Sequence, residues 1–152
     1  PKCGSCPLAE HCRARLEGVQ ESIPRRRRQE VIQKKTKLAI LIDGEKILMR
    51  KKTDGIGKGL WVFPSESEIG NLETDWEVTV DLPQQTHSYT RYRELLLPRI
   101  FRHKPGKKSS REMIPEGSEF QLIAELGELP MPTAYRRITQ ELIEALKNNI
   151  KY

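Results

Sequence analysis

The chain has 152 residues and a formal net charge of +6, from 27 Lys and Arg against 21 Asp and Glu, which is length for one ordinary domain and a tail around a single core. Hydrophobic residues are 36% and charged residues 32%, and no apolar run approaches the roughly 20 residues of a membrane span. The chain therefore reads as soluble, and no secretory signal pattern is visible.

The first twelve residues hold every cysteine, Cys3, Cys6 and Cys12. An odd count, clustered rather than spread, argues against a disulfide framework and for a reducing, intracellular compartment. Thiolates at spacings of three and six residues can converge on a soft metal, and a tetrahedral site needs a fourth ligand. His11 could serve in a zinc site, but it adjoins Cys12, and adjacent side chains diverge. A fourth ligand upstream of Pro1 explains the set better, and the missing initiator Met fits a piece of a longer protein. Leu8 to Leu16 can form a short helix carrying Cys12.

Next comes a basic stretch. Residues 1 to 37 carry 10 Lys and Arg against 4 Asp and Glu, while the remaining 115 carry 17 of each sign. Arg25 to Arg28 sit in a segment without apolar periodicity before Val31, which reads as an exposed linker. Leu38–Ile42 and Ile47–Met49 flank Asp43-Gly44, a hairpin signal. Leu60–Phe63, Trp76–Val80, His87–Tyr92, Leu95–Phe101 and Phe120–Ile123 read as strands, with Pro98 marking an edge or a bulge. From His87 to Arg111 there are 8 basic residues opposed only by Glu94. Such a run is either a solvated surface or a phosphate-binding one. Pro105 to Gly117 reads as a hairpin loop. Ile138, Leu142, Ile143, Leu146 and Ile150 recur at helical spacing, so an amphipathic helix is expected from Thr133 to about Asn149. The fold class is therefore α+β, a sheet covered by a C-terminal helix.

Cys3-Gly-Ser-Cys6-Pro-Leu-Ala-Glu-His-Cys12 is similar to the last three ligands of the iron–sulfur loop of the endonuclease III and MutY superfamily of DNA glycosylases. Gly59-Leu-Trp61-Val-Phe63-Pro64, His87-Ser-Tyr89-Thr90-Arg91 and Leu129-Pro130-Met-Pro132-Thr133-Ala-Tyr135-Arg136 follow in the order found in the Nudix-related C-terminal domain of MutY-type adenine DNA glycosylases. The resemblance covers essentially the whole chain. It implies the end of a 4Fe-4S loop over residues 1–16, an interdomain linker over 17–36 and a Nudix-like 8-oxoguanine-recognition domain, with a mixed or antiparallel sheet, over 37–152. It also implies Cys3, Cys6 and Cys12 as cluster ligands, with the cluster incomplete in this chain. Double-stranded DNA carrying 8-oxoguanine paired with adenine is the implied partner. A bacterial, cytoplasmic, monomeric protein is expected, with repair-protein contacts through the linker.

In this alignment Tyr89, Thr90 and Arg91 stand where the family has a Phe-Ser-His loop against the lesion. The chemistry is arguable from the base: 8-oxoguanine has an N7-H donor and an O8 acceptor where guanine has an N7 acceptor, so its reader needs an acceptor there. Thr90 can accept, Tyr89 can stack, and Arg91 can hold O8 or a phosphate. His87, Ser88, Tyr89, Thr90 and Arg91 are thus the candidate lesion-binding residues, and Arg25, Arg26, Arg27 and Arg28 the candidate phosphate contacts. The bland alternative makes Tyr89 and Tyr92 plain sheet residues, as Trp61, Phe63 and Pro64 are expected to be core. Adenine excision needs acids that the family carries before the cluster, so no catalytic residue is expected here. Two further classes stay open. A Nudix pyrophosphatase would need a Gly-x5-Glu-x7-Arg-Glu-x2-Glu-Glu run to hold Mg2+, which the sequence lacks. A basic interaction adaptor would bind without lesion preference.

Overall fold

The structure is a computed structural model describing residues 1–23, 30–70, 72–105 and 114–149, with the backbone alone at 149. The chain divides into two compact units, Pro1–Glu30 and Val31–Tyr152. Arg25 to Arg28 and residues 106–113 of the expected loop lie outside the described residues.

The first unit has one-turn elements: a 3-10 turn at Cys3–Ser5, helix α1 at Arg13–Leu16, and a second 3-10 turn at Gln20–Ser22. The helix expected over Leu8–Leu16 is shorter, and Cys12 is its extended N-cap rather than an interior residue. None of its residues is buried, and a helix without an apolar face to pack propagates poorly. Gly18 at φ +69 ends it. Its N–H bonds the Arg15 carbonyl and the Val19 N–H the Ala14 carbonyl, the paired bonds of a Schellman cap.

The second unit is built on strands β1 (Ile32–Asp43), β2 (Lys46–Lys51), β3 (Trp61–Val62), β4 (Trp76–Asp81), β5 (Gln85–Tyr89), β6 (Tyr92–His103) and β7 (Ser118–Leu122), with helices α2 (Leu72–Asp75) and α3 (Thr133–Asn149). The sheet runs β3-β2-β1-β6-β4, with β5 also on β6 and β7 on β2. Its spine is the parallel pair β1–β6, in register from Ile32 opposite Tyr92 to Ile42 opposite Arg102. The stretch 32–36, expected as linker, is therefore strand, opened by the Ile32 N–H bonding the Arg91 carbonyl at 2.8 Å. All other pairs are antiparallel, so the sheet is mixed.

Three further expectations are corrected. The run His87–Tyr92 is two strands, because Thr90-Arg91 turn the chain between the paired Tyr89 and Tyr92. Pro98 lies in the central strand rather than at an edge. The Leu82 N–H bonds its carbonyl, so its nitrogen faces the same side, where β5 stops opposite Leu96 and β4 starts opposite Arg99. A residue without an N–H costs no ladder bond at that gap. Nor does the Pro105–Gly117 stretch close a hairpin. β6 already has β1 on one side and β4 and β5 on the other, and β7 pairs with β2.

Alternation divides the spine between two cores. Leu38, Ile40 and Ile42 meet Ala134, Tyr135, Ile138, Leu142 and Leu146 of α3 on one face. Ala39 and Leu41 meet Ile69, Leu72, Trp76 and Phe101 on the other. At the β1–β2 turn, Gly44-Glu45 link the paired Asp43 and Lys46, with Gly44 at φ +59, a conformation that a side chain would strain. No helix among the described residues is long and apolar enough to cross a membrane.

Leu142 is fully buried and Leu16 is 75% exposed. Leu142→Ala should therefore cost about 2–5 kcal/mol of stability, and Leu16→Ala less than about 0.5 kcal/mol, as read from urea denaturation midpoints.

Candidate functional site

Ahead of Leu38 and Leu96, which belong to the α3-side core, β1 and β6 run on as an extension, and β5 pairs along it. On the α3 side, Lys34, Thr36 and Leu38 of β1, Glu94 of β6, and His87 and Tyr89 of β5 line a cleft of about 270 Å³, closed by Arg50, Lys52, Glu68 and Tyr135. Register brings them together, since Glu94 lies opposite both Lys34 and His87.

Glu94 is the buried carboxylate of the cleft, 7% exposed. It accepts a hydrogen bond from the Thr36 hydroxyl and pairs with the Lys34 ammonium at 3.3 Å. A hydrogen bond and an ion pair compensate a group whose burial would otherwise be costly. Burial, and then the Glu94 charge, push the Tyr89 hydroxyl above its ordinary range. The same two causes, burial first, raise Tyr135. His87 goes the other way: burial lowers it, against the pull of Glu94 and with help from Lys52. The aromatic rings form one run, with Tyr92 stacked on Tyr89 at 5.4 Å, Tyr89 beside His87 at 4.9 Å, and His87 edge-on to Tyr135 at 6.3 Å.

The candidate residues part at this point. His87 and Tyr89 face the cleft, Ser88 faces the opposite side of the sheet, and Thr90 and Arg91 form the exposed tip of the β5–β6 hairpin. Thr90 has φ +48, the sole positive φ at a non-glycine among the described residues. For a β-branched residue the left-handed region is a strained outlier. Its hydroxyl has no hydrogen-bond partner among the described residues. The Arg91 guanidinium lies 5.7 Å from the centre of the Tyr92 ring.

The two carboxylates of the turn after Ser65 are committed. Glu66 takes a two-pronged contact from Arg99. Glu68 pairs with Arg50 at 2.8 Å and caps the Ser65 turn through the Ser65 N–H at 2.7 Å. The segment after Pro64 forms only the 3-10 turn Glu66–Glu68 and the four-residue α2. Cys3, Cys6 and Cys12 are free thiols of suitable softness for iron or zinc. Among the described residues no group of three or more His, Cys, Asp and Glu is placed to hold a metal ion.

Sequence reading missed Glu94, Lys34, Thr36 and Tyr135 as site residues. The available signal was Glu94 as the lone acid in a basic stretch.

No protein-family model matches the chain, and no curated protein matches it. Solved structures do. The DNA mismatch repair protein MutT, a Nudix-family hydrolase from methicillin-resistant Staphylococcus aureus 252, is similar with a TM-score of 0.58 at 15% identity, over 76% of this chain and 98% of that one. The Escherichia coli ORF135 protein is similar with a TM-score of 0.54 at 14% identity, over 80% and 96%. A MutT Nudix hydrolase from Burkholderia pseudomallei gives 0.52 at 13%, over 73% and 98%. At such identities the likeness establishes the fold, and the Val31–Tyr152 unit is Nudix-like.

Two outcomes follow from the cleft. Because the folded state holds His87 below its ordinary value of 6.5, the unfolded state binds more protons in the window between the lowered value and 6.5. Stability therefore falls as pH drops through that window, and His87→Asn should flatten this part of a denaturation-midpoint profile. Glu94→Ala orphans a half-buried hydroxyl and should cost about 1–3 kcal/mol, with Glu94→Gln costing less because its amide oxygen still accepts.

Proposed function

We propose that the Val31–Tyr152 unit is the lesion-reading module of a MutY-type adenine DNA glycosylase in base-excision repair, with the β5–β6 tip set against 8-oxoguanine opposite the adenine to be removed. The observation carrying this reading is Thr90, a strained residue with a free hydroxyl on an exposed tip. Backbone strain of about 1–3 kcal/mol persists where the surroundings impose it, and such positions concentrate at functional sites. Thr90 is flanked by Tyr89, which has a face for a base, and Arg91, which has donors for O8 or a phosphate. The Thr90 hydroxyl is the acceptor that an N7-H requires and that unmodified guanine, an acceptor at N7, cannot use.

The tip is firmly based. Tyr89 is held by Glu94 and Tyr92, and Glu94 by Lys34 and Thr36, so the reading group stands on strands rather than on a long loop. Cleavage of the N-glycosidic bond belongs to acids outside this chain in this reading, and the unit supplies discrimination. Nucleotide pyrophosphate hydrolysis is disfavoured, because fold does not fix function, the sequence lacks the Arg-Glu-x2-Glu-Glu run, and Glu66 and Glu68 after Pro64 are paired with Arg99 and Arg50.

The test is binding of the chain to duplexes differing only in 8-oxoguanine or guanine opposite adenine. The wild type should prefer the lesion. Thr90→Ala and Thr90→Gly should each reduce that preference by roughly 2–12-fold, the value of one hydrogen bond, while Thr90→Gly raises stability by about 1 kcal/mol through relief of strain. Equal binding of both duplexes by the wild type at every salt concentration would refute the reading.

A further inference from the structure

The two faces of the sheet extension differ in how their charge is used. In the cleft each cation is engaged: Lys34 with Glu94, Arg50 with Glu68, and Lys52 with the Ile56 carbonyl at 2.6 Å. On the opposite face register sets out a different grid. One row is Ser88, Arg93 and Gln33, the next is Thr86, Leu95 and Lys35, and the third is Leu97 and Lys37. The polar members of all three rows are exposed, the two leucines are half-buried, and no described helix covers them.

Lys35, Lys37 and Arg93 have no carboxylate partner among the described residues. Of the acids around this face, Glu66 is gripped by Arg99, Asp81 lies farther along it, opposite Arg99, and Glu94 is buried in the cleft on the other side. Lys35 and Lys37 also edge a shallow depression with Ser65, Ser67 and the Arg99-bound Glu66. Two lysines two positions apart on a strand stand about 7 Å apart, and Arg93 sits on the neighbouring strand with two hydroxyl residues behind it. Leucines beneath lysine stems would hold the ammonium groups out toward solvent.

We propose that this second face, centred on Lys35, Lys37 and Arg93, is a phosphate-backbone surface for duplex DNA. Its identification with DNA rests on the lesion-reading proposal, and its physical content is separate. The tip reads a base, whereas this face neutralises phosphates and carries no sequence or lesion information. Charge complementarity selects the occupant: three cations without a carboxylate partner among the described residues and several hydroxyls, beside a Glu66 already held by Arg99, suit a polyanion. The Ser88 hydroxyl, placed away from the cleft, gains a role as a phosphate donor.

The experiment compares the whole chain with the triple variant Lys35→Gln/Lys37→Gln/Arg93→Gln and with a charge-matched control, Lys46→Gln/Lys58→Gln/Arg137→Gln, which removes three exposed cations elsewhere on the unit. Binding to guanine and 8-oxoguanine duplexes is measured across salt concentrations. If each of the three residues neutralises one phosphate, the slope of log K against log salt should fall by about 2.7 in the first triple. The control should change it by less than one. Affinity for both duplexes should drop together, and the lesion preference, where present, should survive. An unchanged slope, an equal effect of both triples, or no duplex binding by the wild type at low salt overturns the proposal. Loss of lesion preference in the wild type alone strikes the tip reading and leaves this one standing if the slopes still differ.

Discussion

Everything in the Val31–Tyr152 unit depends on the parallel pairing of β1 with β6. The two strands stay in register from Ile32 opposite Tyr92 to Ile42 opposite Arg102, longer than the cores beneath them require. Their second halves are packed on both faces, by α3 on one and by the α2 region on the other. Their first halves, widened by β5, form an arm in which Leu96 still reaches the α3-side core. A one-residue slip in a sheet exchanges its faces, so the same register that fills the cores also puts Lys34, Thr36, Glu94, His87 and Tyr89 on the cleft side and Lys35, Lys37 and Arg93 on the other.

The buried Glu94 joins stability to function along this arm. A carboxylate hydrogen-bonded to Thr36 and paired with Lys34 anchors β6 to β1, and its charge acts on His87, Tyr89 and Tyr135 together. Such a network is costly if half satisfied and rigid when complete. Beyond it the chain must reverse in two residues, and Thr90 takes up the reversal with a left-handed backbone. Rigidity behind and strain at the tip are complementary, because a strained residue keeps its geometry only where its neighbours fix it.

Much of this was legible in the sequence. Helical spacing gave α3 from Thr133 to Asn149 with both bounds matching, Gly44 marked the turn, and most strand segments were placed within a few residues. Register was not legible, because alternation says which residues share a face but not which strand lies opposite. Glu94 therefore read as a lone surface acid and Pro98 as an edge marker, though partners on three strands decide both. Cys12 read as helical because apolar spacing ignores whether a one-turn helix has anything to pack against. The tip was found by resemblance, and its strain became visible only once Tyr89 and Tyr92 were seen as a pair.

The measurement that tests the account most directly is a backbone amide shift map of the chain titrated with a short duplex carrying 8-oxoguanine or guanine opposite adenine. The account predicts lesion-dependent shifts concentrated at Tyr89, Thr90 and Arg91, over changes common to both duplexes. Lesion-dependent shifts confined to the far cleft wall at Gly57, Glu68 and Tyr135, or identical maps for the two duplexes, would contradict it.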